Sequence, residues 1–377
     1  MLWQMALTPE ELQRYSRHLL IPEVGREGQE RLKLSSVLLV GAGALGSPAA
    51  MYLAAAGVGR IGLVDDDKVE ASNLQRQLLH AESTIGQSKL LSAAARLKEV
   101  NPLVELDLHD TRFTPDNAMG IAANYNLMVD GSDNFPTRFL TNDTGFLLKK
   151  PLVYGAIHRF EGQSTVFAPH LGGPCYRCLL PNMPAPGSAP SCAEAGVLGM
   201  LPGIMGSLQA MEAIKLILGV GEPPLGKLTL YDGLATSFRQ VTIHRDPQCR
   251  LCGEAPDITS VDNTETRSSS PCPTSPDTMN SISVEELKAK IEAGLDGLLI
   301  DVRQPEEYEA ACIECSRLIP LAELPDKHGE LPKDQTIYVH CKAGGRSARA
   351  VEFLVQQGYS KAINVSGGMD AWLELEN

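Results

Sequence analysis

Short apolar segments alternate with segments of helical apolar spacing from about Ser36 onward, and this alternation constrains the fold more than any other feature. The segments SSVLLVG, RIGLVD, VELDLHD and NLMVDG have the character of buried strands. SPAAMYLAAAG and SKLLSAAARLKEV have helical spacing. Such alternation is typical of a parallel sheet with helices on both faces. We therefore predict an α/β fold with a Rossmann-like, doubly wound sheet, and a further helix in GIMGSLQAMEAIKLILG.

The 377-residue chain exceeds the usual size of one hydrophobic core, so two domains are expected. Residues 254–280 are rich in Ser, Thr, Pro and Asp and nearly free of large apolar residues, which predicts a flexible linker. After it, GLLIDV, QTIYVHC and KAINVSGG predict a second, smaller α/β domain. The expected organisation is a first domain over residues 1–253, the linker, and a second domain over residues 281–377.

The net charge of −13 argues against broad binding to nucleic acids or to anionic membranes. No apolar run reaches the length that spans a membrane, and the segment MLWQMALTPEELQRY lacks the cationic start of a signal peptide. We therefore expect a cytoplasmic protein whose partners are small molecules and proteins. In that compartment the nine cysteines are expected to be metal ligands or nucleophiles instead of disulfides.

The first predicted strand leads directly into the turn GAGALGSP, with Gly41, Gly43 and Gly46 in the spacing G-x-G-x-x-G. Glycines let a backbone approach phosphates, and a helix N-terminus supplies amide groups and a positive dipole end. Asp65 follows Gly46 by nineteen residues, where a ribose-binding carboxylate is expected. These features favour a nucleotide site. The alternative is a tight strand-to-helix turn that binds nothing.

Polar residues further along the chain distinguish a triphosphate site from a nicotinamide site. They are Ser72, Asn73, Arg76, Lys89, Asp133 and Asn134. Two cations and a carboxylate suit a triphosphate with a magnesium ion, because cations offset the charge on phosphate oxygens, and hydride transfer does not need them. As alternatives, Arg76 and Lys89 are solvated helix charges, and Asp133 caps the helix that begins near Pro136.

Four cysteines form two Cys-x-x-Cys pairs, Cys175 with Cys178 and Cys249 with Cys252. This spacing predicts a closed tetrahedral zinc site that joins two distant parts of the first domain. Since four thiolates leave no position for water, the expected role of the metal is structural. Four buried thiols without a metal are the alternative.

Cys341 stands after the apolar run of YVHCKAGGRSARA and before a glycine-rich turn. Backbone amides around the sulfur and the charge of Arg346 would both favour an anionic sulfur, either a thiolate or a persulfide. A cysteine phosphatase loop is the close alternative, but such loops have five residues between Cys and Arg, and here only residues 342–345 intervene. An inert buried thiol is the other alternative.

Motifs across residues 8–253 closely resemble the MoeB/ThiF family, the bacterial relatives of ubiquitin-activating enzymes. They are RYSRHLLIPEVG, GAGALGSP, AAAGVGRIGLVDDDKVEASNLQRQLLH, GQSK, DGSDNFPTR, CYRCL and CAEAGVLGMLPGIMGSLQAMEAIKLILG. Members of this family use ATP to adenylate the C-terminal glycine carboxylate of a small ubiquitin-like sulfur carrier. The resemblance implies the sheet of the ubiquitin-activating superfamily.

The family pattern also implies roles for single residues. Asp65 would hold the ribose, Lys89 and Arg76 the phosphates, and Asp133 the magnesium ion. Arg17 matches an arginine that reaches the nucleotide of the partner subunit, as the counterpart of Arg76 also does, which implies a homodimer with shared sites. Ala44 departs from the glycine that is frequent at this loop position, and we expect nucleotide binding to survive the added methyl group.

Cys192 lies in PNMPAPGSAPSCAEAG, a segment whose composition predicts an irregular loop. It matches the acceptor cysteine that forms a thioester in ubiquitin-activating relatives. We expect a sulfur-handling role for Cys192, and an exposed bystander thiol is the alternative.

Residues 281–377 resemble rhodanese-type sulfurtransferases through LLIDVRQPEEYE, IYVHCKAGGRSARAVEF and INVSGGMDAW. The resemblance implies that Cys341 carries a persulfide and that Arg303 helps to organise the site. Where these domains usually have GHIPGA, this chain has ACIECSRLIPL, with Cys312 and Cys315. We expect these two cysteines to be small apolar fillers, with a redox dithiol as the alternative. Cys272, in the predicted linker, is regarded as incidental.

Together the resemblances imply an ATP-dependent adenylyltransferase and sulfurtransferase. Its expected partners are a sulfur carrier ending in Gly-Gly and an upstream persulfide donor such as a cysteine desulfurase, and its expected cofactors are ATP, Mg²⁺ and structural Zn²⁺. One alternative is a protein-modifier activator that forms a thioester at Cys192. Another is a nucleotide-sensing scaffold with a degenerate site.

Overall fold

The computed structural model describes residues 6–184, 196–261, 281–342 and 344–376. The chain divides into two compact units, with the division between residues 269 and 270. Of the predicted linker, only residues 254–261 lie in the described part. Ile258 and Val261 are buried there, and Ile258 packs in the cluster around Cys175. This stretch therefore packs on the first unit, because its two apolar side chains find a core there.

The first unit contains one eight-stranded sheet in the order β3-β2-β1-β4-β5-β6-β7-β8. Its strands are β1 (Ser36–Val40), β2 (Arg60–Val64), β3 (Glu105–His109), β4 (Leu127–Asp130), β5 (Leu152–His158), β6 (Glu161–Phe167), β7 (Lys227–Asp232) and β8 (Ser237–Thr242). The first five strands of this order pair in parallel, and β6, β7 and β8 extend the sheet in antiparallel fashion. The parallel part confirms the predicted α/β fold class.

The helices of the first unit lie on both faces of the parallel strands. They are α1 (Pro9–Arg14), α2 (Ser16–Leu19), α3 (Gly25–Leu34), α4 (Gly46–Ala56), α5 (Lys89–Val100), α6 (Pro115–Ala122), α7 (Phe135–Leu147), α8 (Tyr176–Leu179) and α9 (Met200–Leu218), with 3-10 turns at Ala71–Asn73, Glu82–Thr84 and Pro169–Leu171. Side chains of β1 alternate between the two layers: Val37 and Leu39 pack with α4, α5 and α9, and Leu38 and Val40 pack with α6 and α7. A strand buried on both faces explains the continuous apolar run in the sequence.

Helix α9 is the one helix of the described residues that is long and apolar enough to cross a membrane by length and composition. It packs against α4, β5 and β6 inside the first unit. Gln209 in its middle is buried and donates Nε2 to the carbonyl oxygens of Asp130 and Val153. These contacts are those of a core helix.

The second unit contains a five-stranded, entirely parallel sheet in the order β11-β10-β12-β13-β9. Its strands are β9 (Ser281–Ile282), β10 (Leu298–Asp301), β11 (Ser316–Leu318), β12 (Ile337–His340) and β13 (Ala362–Val365). Its helices are α10 (Val284–Glu292), α11 (Pro305–Ala310), α12 (Leu324–Lys327), α13 (Gly345–Gln356) and α14 (Gly368–Glu376), with a 3-10 turn at His328–Glu330. Here too α13 packs on one face of the sheet, and α10 and α14 pack on the other.

Gly62 of β2 packs against Tyr125 in the loop that precedes β4. A Cβ atom there would lie 2.3 Å from Cζ and Oη of Tyr125, and this buried ring bonds through its hydroxyl to Asp107 and His109. We expect Gly62→Ala to destabilise the first unit by about 1–3 kcal/mol, because the ring cannot move without losing those bonds. The measurement is urea unfolding followed by circular dichroism.

The matched control is Gly120→Ala in α6, where nothing lies within 4 Å of the added methyl group. We expect it to stabilise α6 by roughly 0.5–1 kcal/mol, since alanine restricts the unfolded chain more than glycine does. Equal stabilities for the two variants would contradict this account of β2 packing.

Candidate functional site

The glycine-rich turn joins β1 to α4 with almost no space for side chains. Gly41 has φ +99°, and a Cβ atom on it would lie 2.9 Å from the carbonyl oxygen of Gly131. A Cβ atom on Gly46 would lie 2.0 Å from the carbonyl oxygen of Gly41. On Gly43 it would only touch Gln77 Nε2, at 3.7 Å. The fold therefore requires glycine at positions 41 and 46. At position 43 a side chain would fit, and glycine there leaves open space beside Gln77.

The side chains around this turn hold it in place. The half-buried carboxylate of Asp65, just after β2, accepts hydrogen bonds from the backbone N–H groups of Ala42 at 2.8 Å and Asp67 at 2.9 Å. Buried His80 lies within 3.1 Å, through Nε2, of the carbonyl oxygen of Ala42, and burial lowers its pKa. Ala44 packs against the apolar cluster that contains Leu45, so its methyl group finds space inside the protein.

A cleft of about 170 Å³ opens beside the turn. It is lined by Asp67, Lys68, Glu70, Asn73, Arg76, Gln77, Lys89 and Asp133. Asp67 follows β2 and Asp133 follows β4, the strands on either side of β1. The cleft thus lies where the strand order of the parallel sheet reverses, which is the usual ligand position in this type of fold.

Of the residues predicted to bind a nucleotide, Asn73, Arg76, Lys89 and Asp133 line the cleft. Exposed Ser72 donates Oγ to Glu70 Oε2 at 3.1 Å and is not among the lining residues, and Arg17 is exposed on α2. Sequence reasoning missed Asp67, Lys68, Glu70 and Gln77, although the acidic run that starts at Asp65 and the motif NLQRQ were the available signals.

Lys89 is buried, with 6% exposure, at the first position of α5. The alternative of a solvated helix charge is therefore wrong for this residue. A cation at a helix N-terminus opposes the helix dipole, so its position requires a nearby anion. Asp67 supplies one, with Oδ2 at 2.7 Å from Lys89 Nζ. Arg76 donates Nη1 to the carbonyl oxygen of Ser72 at 2.9 Å, which directs its guanidinium along the cleft wall.

The cap of α7 is Asn134, whose Oδ1 accepts from the backbone N–H of Thr137 at 2.9 Å. The alternative in which Asp133 caps this helix is therefore wrong, and the exposed Asp133 carboxylate lines the cleft. Asn134 itself is not among the lining residues. Fully buried Asp130 accepts from the N–H and hydroxyl of Ser132 and so shapes the turn before Asp133. Burial raises the pKa of Asp130.

The four cysteines Cys175, Cys178, Cys249 and Cys252 converge, with all Sγ atoms within 4.8 Å of one another. The Sγ–Sγ distance is 3.8 Å between Cys175 and Cys178, 3.5 Å between Cys175 and Cys249, and 3.4 Å between Cys178 and Cys252. A tetrahedral ion with zinc–sulfur bonds of about 2.3 Å places its sulfurs about 3.8 Å apart. The donor set and its spacing therefore fit a metal ion.

A buried ion pair fixes the first cysteine pair to α7. Arg177, between Cys175 and Cys178, donates Nε and Nη2 to the two oxygens of Asp143 at 2.9 and 2.8 Å, and both side chains are almost fully buried. The neighbouring Asn142 accepts from the backbone N–H of Tyr176 at 2.8 Å. The cysteine cluster is therefore tied to the helix whose N-terminal side presents Asp133.

In the second unit, buried Cys341 follows β12, and its Sγ accepts a hydrogen bond from the backbone N–H of Gly344 at 3.1 Å. The Ser347 hydroxyl lies 3.4 Å from Sγ and 2.9 Å from the carbonyl oxygen of Gly344, so its single proton is shared between these two acceptors. Gly344 has φ +96° at the start of α13. A Cβ atom on Gly368 would lie 2.4 Å from the carbonyl oxygen of Cys341, so α14 approaches closely only because glycine is there.

Arg346 forms a two-bond ion pair with Glu307 of α11, at 2.6 and 2.7 Å. This bonding lowers the pKa of Glu307 to about 2. The positive charge that the sequence assigns to the sulfur site is thus offset by a carboxylate, a pairing that no local pattern reveals. The contact that stabilises a charged sulfur directly is the backbone N–H of Gly344.

Arg303, just after β10, is held by several hydrogen bonds within the second unit. It donates Nη2 to Asp301 Oδ2 at 2.6 Å and also bonds to the carbonyl oxygens of Glu307 and Ala311. Cys312 and Cys315 are exposed, so the expectation that they are small apolar fillers is wrong. Cys192 and Cys272 lie outside the described residues.

Two protein-family models match separate parts of this chain. The ThiF family model matches residues 15–251, and the rhodanese-like domain model matches residues 283–375. A probable adenylyltransferase/sulfurtransferase MoeZ of Mycobacterium tuberculosis is 44% identical over 378 residues, which cover 97% of this chain and 94% of that protein. A sulfur carrier protein adenylyltransferase of Thermus thermophilus is 55% identical over 256 residues, 67% of this chain and 94% of that protein. The crystal structure of E. coli MccB matches with a TM-score of 0.57 and 20% identity over 67% of this chain and 75% of that one, a likeness of fold.

The pair between Arg346 and Glu307 predicts a pH dependence of the second unit. Since the pKa of Glu307 falls from 4.5 to about 2 on folding, its contribution is complete above pH 4.5 and is lost as the pH falls towards 2. The pair is partly solvated, so we expect only about 1 kcal/mol from it. Glu307→Gln should lower the free energy of unfolding by this amount at pH 6 and leave it almost unchanged near pH 2.

The measurement is urea unfolding at several pH values, followed by the fluorescence of buried Trp372 in a Trp3→Phe background. Glu306→Gln, at the exposed neighbouring position, is the control and should leave the profile unchanged. A constant difference between Glu307→Gln and the parent chain across this range would rule out the ion pair as its source.

Proposed function

The chain belongs to the ThiF family and carries a rhodanese-like domain, and from this premise we propose that it adenylates and then thiocarboxylates a ubiquitin-like sulfur carrier protein. It is an adenylyltransferase and a sulfurtransferase. The observation that carries the proposal is the cleft in which Lys89, Arg76 and Asp133 meet beside the glycine-rich turn, in one chain with the amide-lined sulfur of Cys341.

We assign the cleft to ATP. The backbone of the glycine-rich turn and the N-terminus of α4 would face the phosphates, and Lys89 and Arg76 would offset their charge. Asp65, whose carboxylate already accepts two amides, is assigned to the ribose through its remaining lone pairs. Asp133 is assigned to Mg²⁺, which prefers carboxylate oxygens and, when bound, neutralises charge on phosphate oxygens.

The adenylation step needs no general base. A C-terminal glycine carboxylate is already ionised at neutral pH, so its oxygen can attack the α-phosphorus directly, and pyrophosphate leaves. The chain must align the two reactants and stabilise the departing pyrophosphate, which is the task of Lys89 and Arg76. The product is the mixed anhydride of the carrier carboxylate and AMP.

Cys341 performs the second step as a persulfide. Its terminal sulfur attacks the acyl carbon of the carrier adenylate, AMP leaves, and the carrier is held on Cys341 by an acyl disulfide. A second thiol, for which the family resemblance suggests Cys192, must then reduce this disulfide, forming a new disulfide with Cys341 while the carrier leaves as its thiocarboxylate. The Gly344 amide supports negative charge on Cys341 Sγ when it is a thiolate, before the persulfide forms and after the carrier has left. The persulfide sulfur comes from an upstream donor such as a cysteine desulfurase.

The partner is a small protein with a flexible Gly-Gly tail, since a tail without side chains can enter a narrow polar cleft. The similarity to the sulfur carrier protein adenylyltransferase of Thermus thermophilus supports a sulfur carrier as this partner. We also propose a homodimer, in which the exposed Arg17 of one subunit reaches the nucleotide of the other. Cytoplasmic location stays a prediction.

We assign the four-cysteine cluster to a structural Zn²⁺ ion. Zinc favours four thiolates in tetrahedral arrangement, and the observed sulfur spacing suits it. Backbone N–H groups of Asp246 and Cys252 already point at sulfurs of the cluster, at 3.4 and 3.5 Å, as expected for groups that stabilise thiolate ligands.

Asp133→Asn tests the adenylation site. We expect carrier-dependent exchange of pyrophosphate into ATP to fall on the order of 10²-fold, because the amide keeps the size of the side chain and loses the charge that holds the metal ion. The matched control is Asp66→Asn, which removes an exposed carboxylate that pairs with Arg112 at 3.3 Å and does not line the cleft. Full exchange in Asp133→Asn would refute the assigned role, and absence of exchange in the parent chain with every Gly-Gly carrier would refute the proposed function.

Removal of zinc tests the structural metal. We expect one zinc ion per chain and a loss of about 4 kcal/mol or more when a chelator takes it away, which is the linkage energy at a ligand concentration of 1,000 Kd. The measurements are metal content and thermal unfolding before removal, after removal and after zinc is added back. An unchanged unfolding curve in metal-free protein would contradict a structural role for the metal ion.

A further inference from the structure

Ser347 is completely buried in the first turn of α13, and its hydroxyl has two acceptors within reach. Oγ lies 2.9 Å from the carbonyl oxygen of Gly344 and 3.4 Å from Cys341 Sγ. A serine hydroxyl has one proton, which rotates about the Cβ–Oγ bond to suit its surroundings. The proton can therefore turn from one acceptor to the other while every heavier atom stays in place.

The carbonyl oxygen of Gly344 does not depend on this hydroxyl. The backbone N–H of Ala348 donates to it at 3.1 Å, as a bond of α13. When the Ser347 proton turns to the sulfur, the carbonyl oxygen therefore keeps a donor, and no buried acceptor is left unpaired. Within the described part of the loop, the other donor to Cys341 Sγ is the backbone N–H of Gly344. A charge on Sγ can thus gain a second donor without a loss elsewhere in the loop.

Most charged groups around the sulfur offset one another. The charged and titratable groups of the loop and of the elements around it are Lys342, Arg346, Arg349 of α13, Glu307 of α11, Asp301 and Arg303 at the end of β10, His340 of β12 and Asp370 of α14. Arg346 is bonded to Glu307 and Arg303 to Asp301, whereas Lys342 and Asp370 are exposed to solvent. Burial lowers the pKa of His340, which keeps this imidazole neutral at physiological pH. Uncharged hydrogen-bond donors are therefore the direct support for a thiolate at Cys341.

We propose that Ser347 is a catalytic residue of sulfur transfer, and that its hydroxyl turns from the carbonyl oxygen of Gly344 to Sγ when Cys341 becomes a thiolate. The inference rests on the role that the proposed function gives to Cys341. The thiolate attacks the outer sulfur of the donor persulfide, a sulfur–sulfur bond to Sγ forms, the sulfur–sulfur bond of the donor breaks, and the donor leaves as a thiolate. The transferred sulfur keeps its proton, and no electrons are gained or lost overall. Since Sγ is then neutral, the hydroxyl returns to the carbonyl oxygen.

Removal of the hydroxyl has two opposite effects on the rate of attack. A hydrogen bond to the charged form shifts the pH at which the thiolate forms by about one unit, so without it a smaller fraction of Cys341 is thiolate at a given pH. The thiolate that does form is more nucleophilic, because nucleophilicity rises with basicity with a slope of about 0.4–0.5. The net rate is therefore roughly threefold lower at low pH and roughly threefold higher at high pH.

The test compares Ser347→Ala with the parent, both as the full, reduced chain. Iodoacetamide alkylates Cys341 at a series of pH values, and mass spectrometry of the peptide that contains Cys341 gives its rate separately from those of the other cysteines. Sulfur loading from thiosulfate, in which the thiolate attacks the outer sulfur and sulfite leaves, is measured on the same samples as the mass gain of Cys341. Thermal unfolding is recorded for each variant.

For Ser347→Ala we expect both rate profiles to move to higher pH by about one unit and to cross those of the parent. Ser347→Thr, which keeps a hydroxyl on the same carbon, should restore the parent profiles. The matched control is Ser316→Ala, since Ser316 is also buried and donates its hydroxyl to a carbonyl oxygen, that of Ile313, at 2.7 Å. This control should lower thermal stability without moving either profile.

Two results would overturn the inference and leave the proposed function standing. Ser347→Ala could keep the profiles of the parent, or it could slow both reactions by one factor at every pH together with a lower unfolding temperature, which is the result of a purely structural role. A parent chain that gains no sulfur on Cys341 from thiosulfate at any pH would remove the role proposed for Cys341, and the inference with it. Release of pyrophosphate with a Gly-Gly carrier tests adenylation independently of these measurements.

Discussion

The close approach of two backbone turns, after β1 and after β4, is the constraint on which the first site depends. A Cβ atom on Gly131 would lie only 2.7 Å from the carbonyl oxygen of Gly41. A Cβ atom on Gly46 would lie 2.0 Å from the same oxygen. Because none of these positions has a side chain, the turn that leads to Asp133 can pack directly on the glycine-rich turn. The carboxylate of Asp133 and the ammonium of Lys89 consequently line one cleft.

The second unit uses the same geometry for different chemistry. Cys341 and Arg303 come from the carboxyl ends of neighbouring parallel strands, and glycine at 368 allows α14 to reach the carbonyl oxygen of Cys341. In both units the cations are paired within the chain, Lys89 with Asp67 and Arg346 with Glu307. Such pairing holds buried or half-buried charges in position without leaving them uncompensated. A phosphate entering the first cleft would compete with Asp67 for Lys89.

Elements with periodic apolar spacing or short motifs could be predicted from the sequence. Contacts between residues that are distant in sequence could not. The strands and helices around β1 and β12 follow from apolar spacing, and the cysteine cluster follows from two Cys-x-x-Cys pairs. The antiparallel strands β6 to β8 were not predicted. β8 is exposed throughout, and β6 has polar Ser164 and Thr165 at buried positions, so neither strand has a clear apolar pattern. His80 beneath the glycine-rich turn and the burial of Ile258 on the first unit were also missed, because each depends on a partner distant in sequence.

The sequence by itself determined the class of fold, the division into two α/β units and the residue types from which each site is built, because these depend on local periodicity and on short motifs. Only the tertiary structure decided which of those residues share a site. It placed Asn134 as the cap and Asp133 in the cleft, offset the charge of Arg346 with Glu307, and left Cys312 and Cys315 exposed. The physical reason is that hydrogen bonds, ion pairs and burial depend on which residues are neighbours in space. Those neighbours are determined by the packing of helices and strands that are distant in sequence.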